Sequence, residues 1–390
     1  MTPTITSVET VSFEYTLENV ARNPAGTGIM YEPGSTAERT THAVRIETDA
    51  GVAGEYVGGT APGLTQVRMC ADTLVGRDAL ARESIWNHLK STLRTFDGTG
   101  VGPLDIALWD LAGKHCDVPI HRLLGTYRTE LPAYVSTYAG SENGGLDSPE
   151  AYADFAASVQ SSGFDAYKIH PWRGVGEVDV DREIRTVRAV RERVGPDLEL
   201  MYDPVCEYET FGDALAVGRE LDRQGYYWYE DPYADGSLSQ HSHRKLGEML
   251  DTPILLTEQA RWVEPHADAI AADATTFVRA DPDLDGGITG AMKIARIAEG
   301  FGLDVEFHLA SPATRHCMAA TRNTNYYELG LVAPDCPVPH SEPPIYEAYT
   351  DSIDAATDGA YPVPKAPGLG VEYDWDFVRS NAVRTTVHGD

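Results

Sequence analysis

The sequence predicts an α/β protein: a parallel (β/α) barrel of the TIM type, preceded by a smaller α+β module. Three observations carry that expectation. From about residue 130 onward, short apolar runs alternate with stretches of helical periodicity, and the alternation repeats about eight times. Nearly every apolar run ends in a titratable residue, the position where a barrel keeps its chemistry. No G-x-G-x-x-G follows the first strand, which weakens the rival doubly wound sheet in its dinucleotide-binding form.

The elements follow in order. ITSVETVSFEY alternates apolar and polar positions and reads as a strand, as does HAVRIETDAGVAGEY up to the turn Asp49-Ala50-Gly51. The intervening ENVARNPAGTGIMYEPGSTAERT is rich in Gly, Pro and Ser and reads as a loop. A helical stretch then runs to about residue 125 and includes GPLDIALWDLAGK, with Ile106, Trp109 and Leu111 on one apolar face and Gly113 near its end. The barrel strands are PAYVSTY, AYKIH, LELMYDP, YYWYEDP, PILLTEQ, TTFVRADP and LDVEFH. Helices such as SPEAYADFAASVQSSG, DVDREIRTVRAVRERVG and GAMKIARIAEGFG separate them. The Pro- and Gly-rich end, from about residue 355, is expected to pack back on the N-terminal module.

Composition narrows the partners. The 390 residues carry 60 acidic against 31 basic side chains, a formal charge of −29. That balance argues against nucleic acid, which needs clustered Lys and Arg, and against an anionic membrane surface. No apolar stretch approaches ~20 residues, and MTPTITSVET has neither a basic nor an apolar leader segment. The expectation is a soluble, cytoplasmic chain. Only six basic residues are Lys and the acid is dispersed, a composition suited to high salt, where self-repulsion is screened. Five cysteines in no C-x-x-C pattern read as reduced thiols.

The residues ending the strands are Lys168 and His170, Asp203, Glu230, Glu258, Asp281, His308 and Glu328. Asp203, Glu230 and Glu258 are spaced by 27 and 28 residues, one βα unit each. Adjacent strands then aim three carboxylates at one point, where they cannot coexist without a cation; oxygen-only ligation fits Mg²⁺. Lys168 and His170, two apart on a strand, share a face. His170 is a candidate base, and Lys168 a cation able to pair with a substrate carboxylate. Asp281 and His308 lie on successive strands as an orienting acid and an imidazole, with no G-x-S-x-G elbow to suggest acyl transfer. Glu328 is placed to donate or accept a hydrogen bond at developing charge. His241, His243, His316 and His340 read as surface or loop residues.

These residues resemble the enolase superfamily, and within it the mandelate racemase group, over nearly the whole chain. The likeness rests on PLDIALWDLAGKHCDVPIHRLLG, the Asp203/Glu230/Glu258 set, DPDLDGGITGAMKIARIAEGFGLDVEFH and Glu328. The usual second-strand motif of that group is K-x-K, and His170 stands at its second position. The resemblance implies a modified (β/α)7β barrel over 129–354, an α+β capping domain over 1–128, and a segment 355–390 completing the cap. It further implies one Mg²⁺ per subunit, a small-molecule carboxylate substrate, a homo-oligomer, and abstraction of the proton α to the carboxylate. Lys168 and a protonated Glu328 would stabilise the resulting charge, with His170 and His308 on opposite faces. Dehydration of a sugar acid to a 2-keto-3-deoxy acid is the expected outcome. Epimerisation or cycloisomerisation is the alternative, and a non-catalytic metal-binding barrel a remote one. Arg22, Tyr31 and Tyr56, in the stretches 20–36 and 54–62, are candidates for polyol contacts.

Overall fold

The computed structural model describes residues 2–22, 29–137, 144–171, 178–336 and 345–389. The N-terminal module opens with β1 (Ile5–Arg22), β2 (Ile29–Thr48) and β3 (Ala53–Val57). Helices α1 (Ala61–Cys70), α2 (Arg82–Thr92), α3 (Val101–Cys116) and α4 (Ile120–Leu124) follow. The stretch expected to be a loop is instead mostly strand. The β1–β2 ladder continues through Val20↔Tyr31 to Arg22↔Ile29, across a bulge where four residues, 32–35, oppose Asn19 alone. That bulge absorbs Pro33 and Gly34, which a regular ladder would reject; Asn19 takes φ 59°, and its Oδ1 accepts the Gly34 N–H.

The second unit alternates strand and helix: β4 (Glu130–Thr137), α5 (Pro149–Ser161), β5 (Ala166–Ile169), α6 (Val180–Val194), β6 (Glu199–Tyr202), α7 (Phe211–Gln224), β7 (Trp228–Glu230) and α8 (Gln240–Gly247). It continues with β8 (Ile254–Leu256), α9 (Val263–Ala271), β9 (Phe277–Ala280), α10 (Gly287–Phe301), β10 (Asp304–Phe307), α11 (Pro312–Ala319) and β11 (Tyr327–Val332). Eight parallel strands curl in the order β10-β9-β8-β7-β6-β5-β4-β11, and β12 (Ala360–Pro362) adds antiparallel to β4. Seven helices follow the first seven of these strands, as a (β/α)7β barrel requires. The helix starts are written locally. Ser148, Asp179, Thr210 and Ser311 each accept a backbone N–H from the first turn of the following helix. After α12 (Trp375–Ser380), β13 (Ala382–Gly389) returns to pair antiparallel with β1, giving the first sheet the order β13-β1-β2-β3.

Among the described residues no backbone ladder joins β10 to β11, and side chains bridge that seam. Buried Glu306 accepts from the Asn325 backbone and side-chain amides (3.2 and 2.7 Å) and from the Tyr326 N–H (3.3 Å). Glu328 accepts the Leu309 N–H across it (3.0 Å). Inside the curl, Tyr134, Ala166, Met201, Trp228 and Leu255 form an apolar floor. A second cluster runs between the helices and the outer face and continues into the N-terminal module. There α3 is the keystone: most of its residues are buried, Asp105 takes both polar groups of Thr289 at the start of α10, and Trp109 donates to the Thr289 hydroxyl. No helix among the described residues is long and apolar enough to cross a membrane. His243 and His316, expected on the surface, are fully buried; each ring bonds a backbone carbonyl and packs on an aromatic neighbour. His340 lies outside the described residues.

Burial pushes the Glu306 carboxyl up to about 7, despite the Asn325 hydrogen bond, and burial does the same to Asp105 and Glu183. Between the ordinary carboxyl range and pH 7 the folded chain therefore holds more protons than the unfolded one, so stability falls as pH rises through that window. Denaturant unfolding from pH 5 to 7.5 should show this decline, and Glu306→Gln should reduce its slope.

A buried carboxylate cluster at the mouth of the barrel

Strand alternation builds a charged layer directly above the apolar floor. Ala166 faces inward, so Lys168 and His170 do too; Met201 leads to Asp203, Trp228 to Glu230, and Phe277 through Arg279 to Asp281. Glu258 breaks the parity set by Leu255. Thr257 takes φ 89°, and this left-handed residue re-aims the chain. Val205 (φ 55°), Cys206 (59°) and Asp231 (36°) are also left-handed. Such backbone costs of order 1–3 kcal/mol per residue, and here it clusters around three carboxylates.

Asp203, Glu230 and Glu258 each bring one oxygen within 4.8 Å of the other two. Lys168, 1% exposed, pairs with Asp203 (3.2 Å), Glu230 (2.9 Å) and Glu328 (2.9 Å) and donates hydrogen bonds to the first two. Burial would lower the Lys168 ammonium, but Glu230, Glu328, Tyr134 and Asp203 hold it well above its usual range, as a fixed cation. Burial alone would raise Asp203; Lys168 and His170 bring it below the usual carboxylate range. Glu258 goes the other way. Its burial and the charges of Asp203 and Glu230 raise it against the pull of His308.

His170 points Nε2 at Asp203 Oδ2 (3.0 Å) and Nδ1 at the Thr137 carbonyl (2.7 Å), so both ring nitrogens are engaged. Its own carbonyl accepts the Tyr152 hydroxyl at 2.9 Å. On the far side of the triad, His308 Nδ1 sits 2.8 Å from Asp281 Oδ2, and Nε2 lies 3.7 Å from Glu258. Burial would lower this imidazole, yet Glu258 and the Asp281 hydrogen bond and charge push it up to about 9. Its side chain is 17% exposed, against 1% for Lys168, so His308 is the more accessible of the two to a ligand.

The structure narrows three expectations. Of the two roles open to Glu328, donor or acceptor, its surroundings favour the acceptor: against its burial, Lys168, Arg279, His308 and the Leu309 N–H hold it well below the usual range. Lys168 is paired with three protein carboxylates, two of them through hydrogen bonds. Tyr56 lies in β3, not a loop, and its buried hydroxyl donates to Asp283 (2.6 Å). Tyr31 packs half-buried against the main core, and Arg22 ends β1.

Sequence reasoning missed Arg279. Fully buried in β9, it pairs with Glu230 (Nε 2.8 Å), approaches Glu328 (3.7 Å) and donates to the Tyr134 hydroxyl (3.3 Å). The signal was present, because a charge inside the apolar run TTFVRADP shares a face with Asp281. It also missed Asp231, whose two carboxylate oxygens are buried without a hydrogen-bond partner among the described residues. Five carboxylates (Asp203, Glu230, Asp231, Glu258 and Glu328) thus surround two permanent cations. That excess, the orphaned Asp231 oxygens and the all-oxygen donor set fit a hard divalent ion.

Two family models match the chain: "Mandelate racemase / muconate lactonizing enzyme, N-terminal domain" over residues 17–125, and "Enolase C-terminal domain-like" over 151–377. The chain belongs to the enolase/mandelate racemase superfamily. A D-galactarolactone cycloisomerase of Agrobacterium fabrum is 28% identical over 87% of this chain and 90% of its own. A D-xylonate dehydratase of Haloferax volcanii is 27% identical over 87% and 85%. Among solved structures, a D-glucarate dehydratase from Agrobacterium tumefaciens complexed with magnesium superposes with TM-score 0.86 at 31% identity, covering 98% of this chain and 100% of that one.

Replacing Arg279 by Met strips Glu230 of its closest cation and should cost roughly 3–5 kcal/mol in denaturant unfolding. Millimolar Mg²⁺ should raise the melting temperature of the wild-type chain. Asp203→Asn should abolish that increment, and calorimetric titration should show the ion no longer bound.

Proposed function

We propose that this chain is a Mg²⁺-dependent sugar acid dehydratase. It would remove the proton α to the carboxylate of an aldonate or aldarate and expel the β-hydroxyl, giving a 2-keto-3-deoxy acid. The observation that carries the reading is the asymmetry of the site: His308 is oriented by Asp281 and partly open, whereas both nitrogens of His170 are engaged by protein and Lys168 is buried in ion pairs with three carboxylates.

A Mg²⁺ held by Asp203, Glu230 and Glu258 would supply positive charge to the substrate carboxylate as its α-proton leaves. Everything else falls to side chains. The Glu258 charge that holds the imidazole protonated would be cancelled by a cation bound there; with Nδ1 pinned on Asp281, the neutral Nε2 of His308 then takes the α-proton and passes it to the β-hydroxyl, which departs as water, and the enol left behind tautomerises to the ketone. One proton carrier on one face makes this a syn elimination. Lys168 and Arg279 keep Glu230 and Glu328 ionised and in place, and His170 holds Asp203 from the other flank. Racemisation would need a second free carrier on the opposite face, and the engagement of His170 and Lys168 speaks against it. Cycloisomerisation shares the first step and differs in expelling a ring oxygen; the 28% identical galactarolactone cycloisomerase keeps it as the second reading. The charge of −29 with six Lys supports a further part of the proposal, operation at molar salt.

A semicarbazide screen of aldonic and aldaric acids, with Mg²⁺ and 2 M KCl as a rough starting point for a screened surface, should yield a 2-keto acid from one substrate. Silence there, with α-proton exchange into D₂O still visible by NMR, would shift the assignment to cycloisomerisation or epimerisation. His308→Asn should lower kcat by about 10²–10⁴-fold. The melting temperature should rise as KCl replaces low-salt buffer.

A further inference from the structure

The capping module reaches the Asp281–His308 pair through one side chain. Tyr56 on β3 donates its hydroxyl to Asp283 Oδ1 at 2.6 Å. Asp283 lies two residues past Asp281, on the turn between β9 and α10, and its backbone N–H donates to Asp281 Oδ1 at 2.7 Å. The other oxygen of Asp281, Oδ2, faces His308 Nδ1 at 2.8 Å. A hydrogen-bonded chain therefore runs Tyr56–Asp283–Asp281–His308 and crosses from cap to barrel.

The cap grips the same residue twice more. The Gly59 backbone also favours the ionised form of the Asp283 carboxylate. Gly102, at the start of α3, comes so close that a Cβ there would stand 2.2 Å from the Asp283 carbonyl oxygen. Further along the turn, Trp86 donates to the Gly286 carbonyl at 2.8 Å. Burial and the charge of Asp281 push the Asp283 carboxyl up to about 7, while the Tyr56 hydroxyl favours its ionised form. Buried O–H···carboxylate bonds of this kind are short and directional, so they fix an orientation as well as a position.

We propose that Tyr56 and Asp283 are positioning residues for His308: docking of the cap on this turn sets the carboxylate that orients the imidazole. The inference rests on the reading of His308 as the proton carrier. A misplacement of about 1 Å at such a group can cost up to 10²-fold in rate, which is the scale on which the pair acts.

Tyr56→Phe tests this because it deletes one oxygen and keeps the ring in the core. The expected result is a kcat lower by about tenfold or more, with KM and Mg²⁺ affinity within about twofold. The low-field proton resonance of His308 Nδ1–H should also move. Asp283→Ala should reproduce these changes without touching the core of the cap, and the double variant should be no worse than either single one. Asp283→Asn keeps an acceptor for Tyr56 and the backbone N–H for Asp281, and should restore most of the rate. An unchanged kcat and resonance in Tyr56→Phe would overturn the proposal, as would additive losses in the double variant. A rise in KM alone would return Tyr56 to the role of a substrate contact and overturn it equally. If no sugar acid turns over with the wild-type chain, the dehydratase reading fails, and the resonance comparison still decides this one.

Discussion

The organising constraint is the burial of like charge. Five carboxylates are brought together at the strand ends, and taken alone they would repel one another in a medium where each charge is poorly solvated. Lys168 and Arg279 make the arrangement possible. Each is fully enclosed, and each bridges acids that come from different strands, so the ion network also ties β5, β6, β7, β9 and β11 together. The network leaves a surplus of negative charge, and that surplus is what makes the centre a candidate site for a cation.

The groups that hold the barrel together are therefore the ones that build the candidate site. Glu328 spans the seam between β10 and β11 and at the same time forms an ion pair with Lys168. Arg279 sits immediately above the apolar floor, against Trp228 and Tyr134, and its guanidinium anchors Glu230. Left-handed backbone at Val205, Cys206, Asp231 and Thr257 is tolerated because the packed strands below leave the loops little freedom to relax. The capping module belongs to the same system. Its helices and β3 hold the turn that carries Asp281, so the orientation of His308 depends on residues more than 200 positions away in the chain.

Much of the barrel was readable from the residues alone. Apolar runs one βα unit apart, with a titratable group at each end, placed Lys168, His170, Asp203, Glu230, Asp281 and His308 on one rim, because strand alternation and strand length are local properties. The N-terminal ribbon was misread for an equally local reason. Gly, Pro and Ser signal a loop there, yet a bulge opposite Asn19 lets the ladder absorb Pro33, Gly34 and Ser35, and bulges have no composition of their own. Arg279 was overlooked because a lone charge in an apolar strand is informative only when its partner on another strand is known.

The sequence by itself determined the order of elements, the rim on which the titratable side chains gather and the residue types that meet there, since each follows from periodicity within about 10 residues. Tertiary structure decided the rest. Whether Lys168 is free or saturated, whether Glu328 is a donor or an acceptor, and whether Tyr56 meets a ligand or Asp283 all depend on which side chains arrive from distant strands. Those arrivals set the local field, and in a buried site the field, more than the residue type, decides where protons and charges reside.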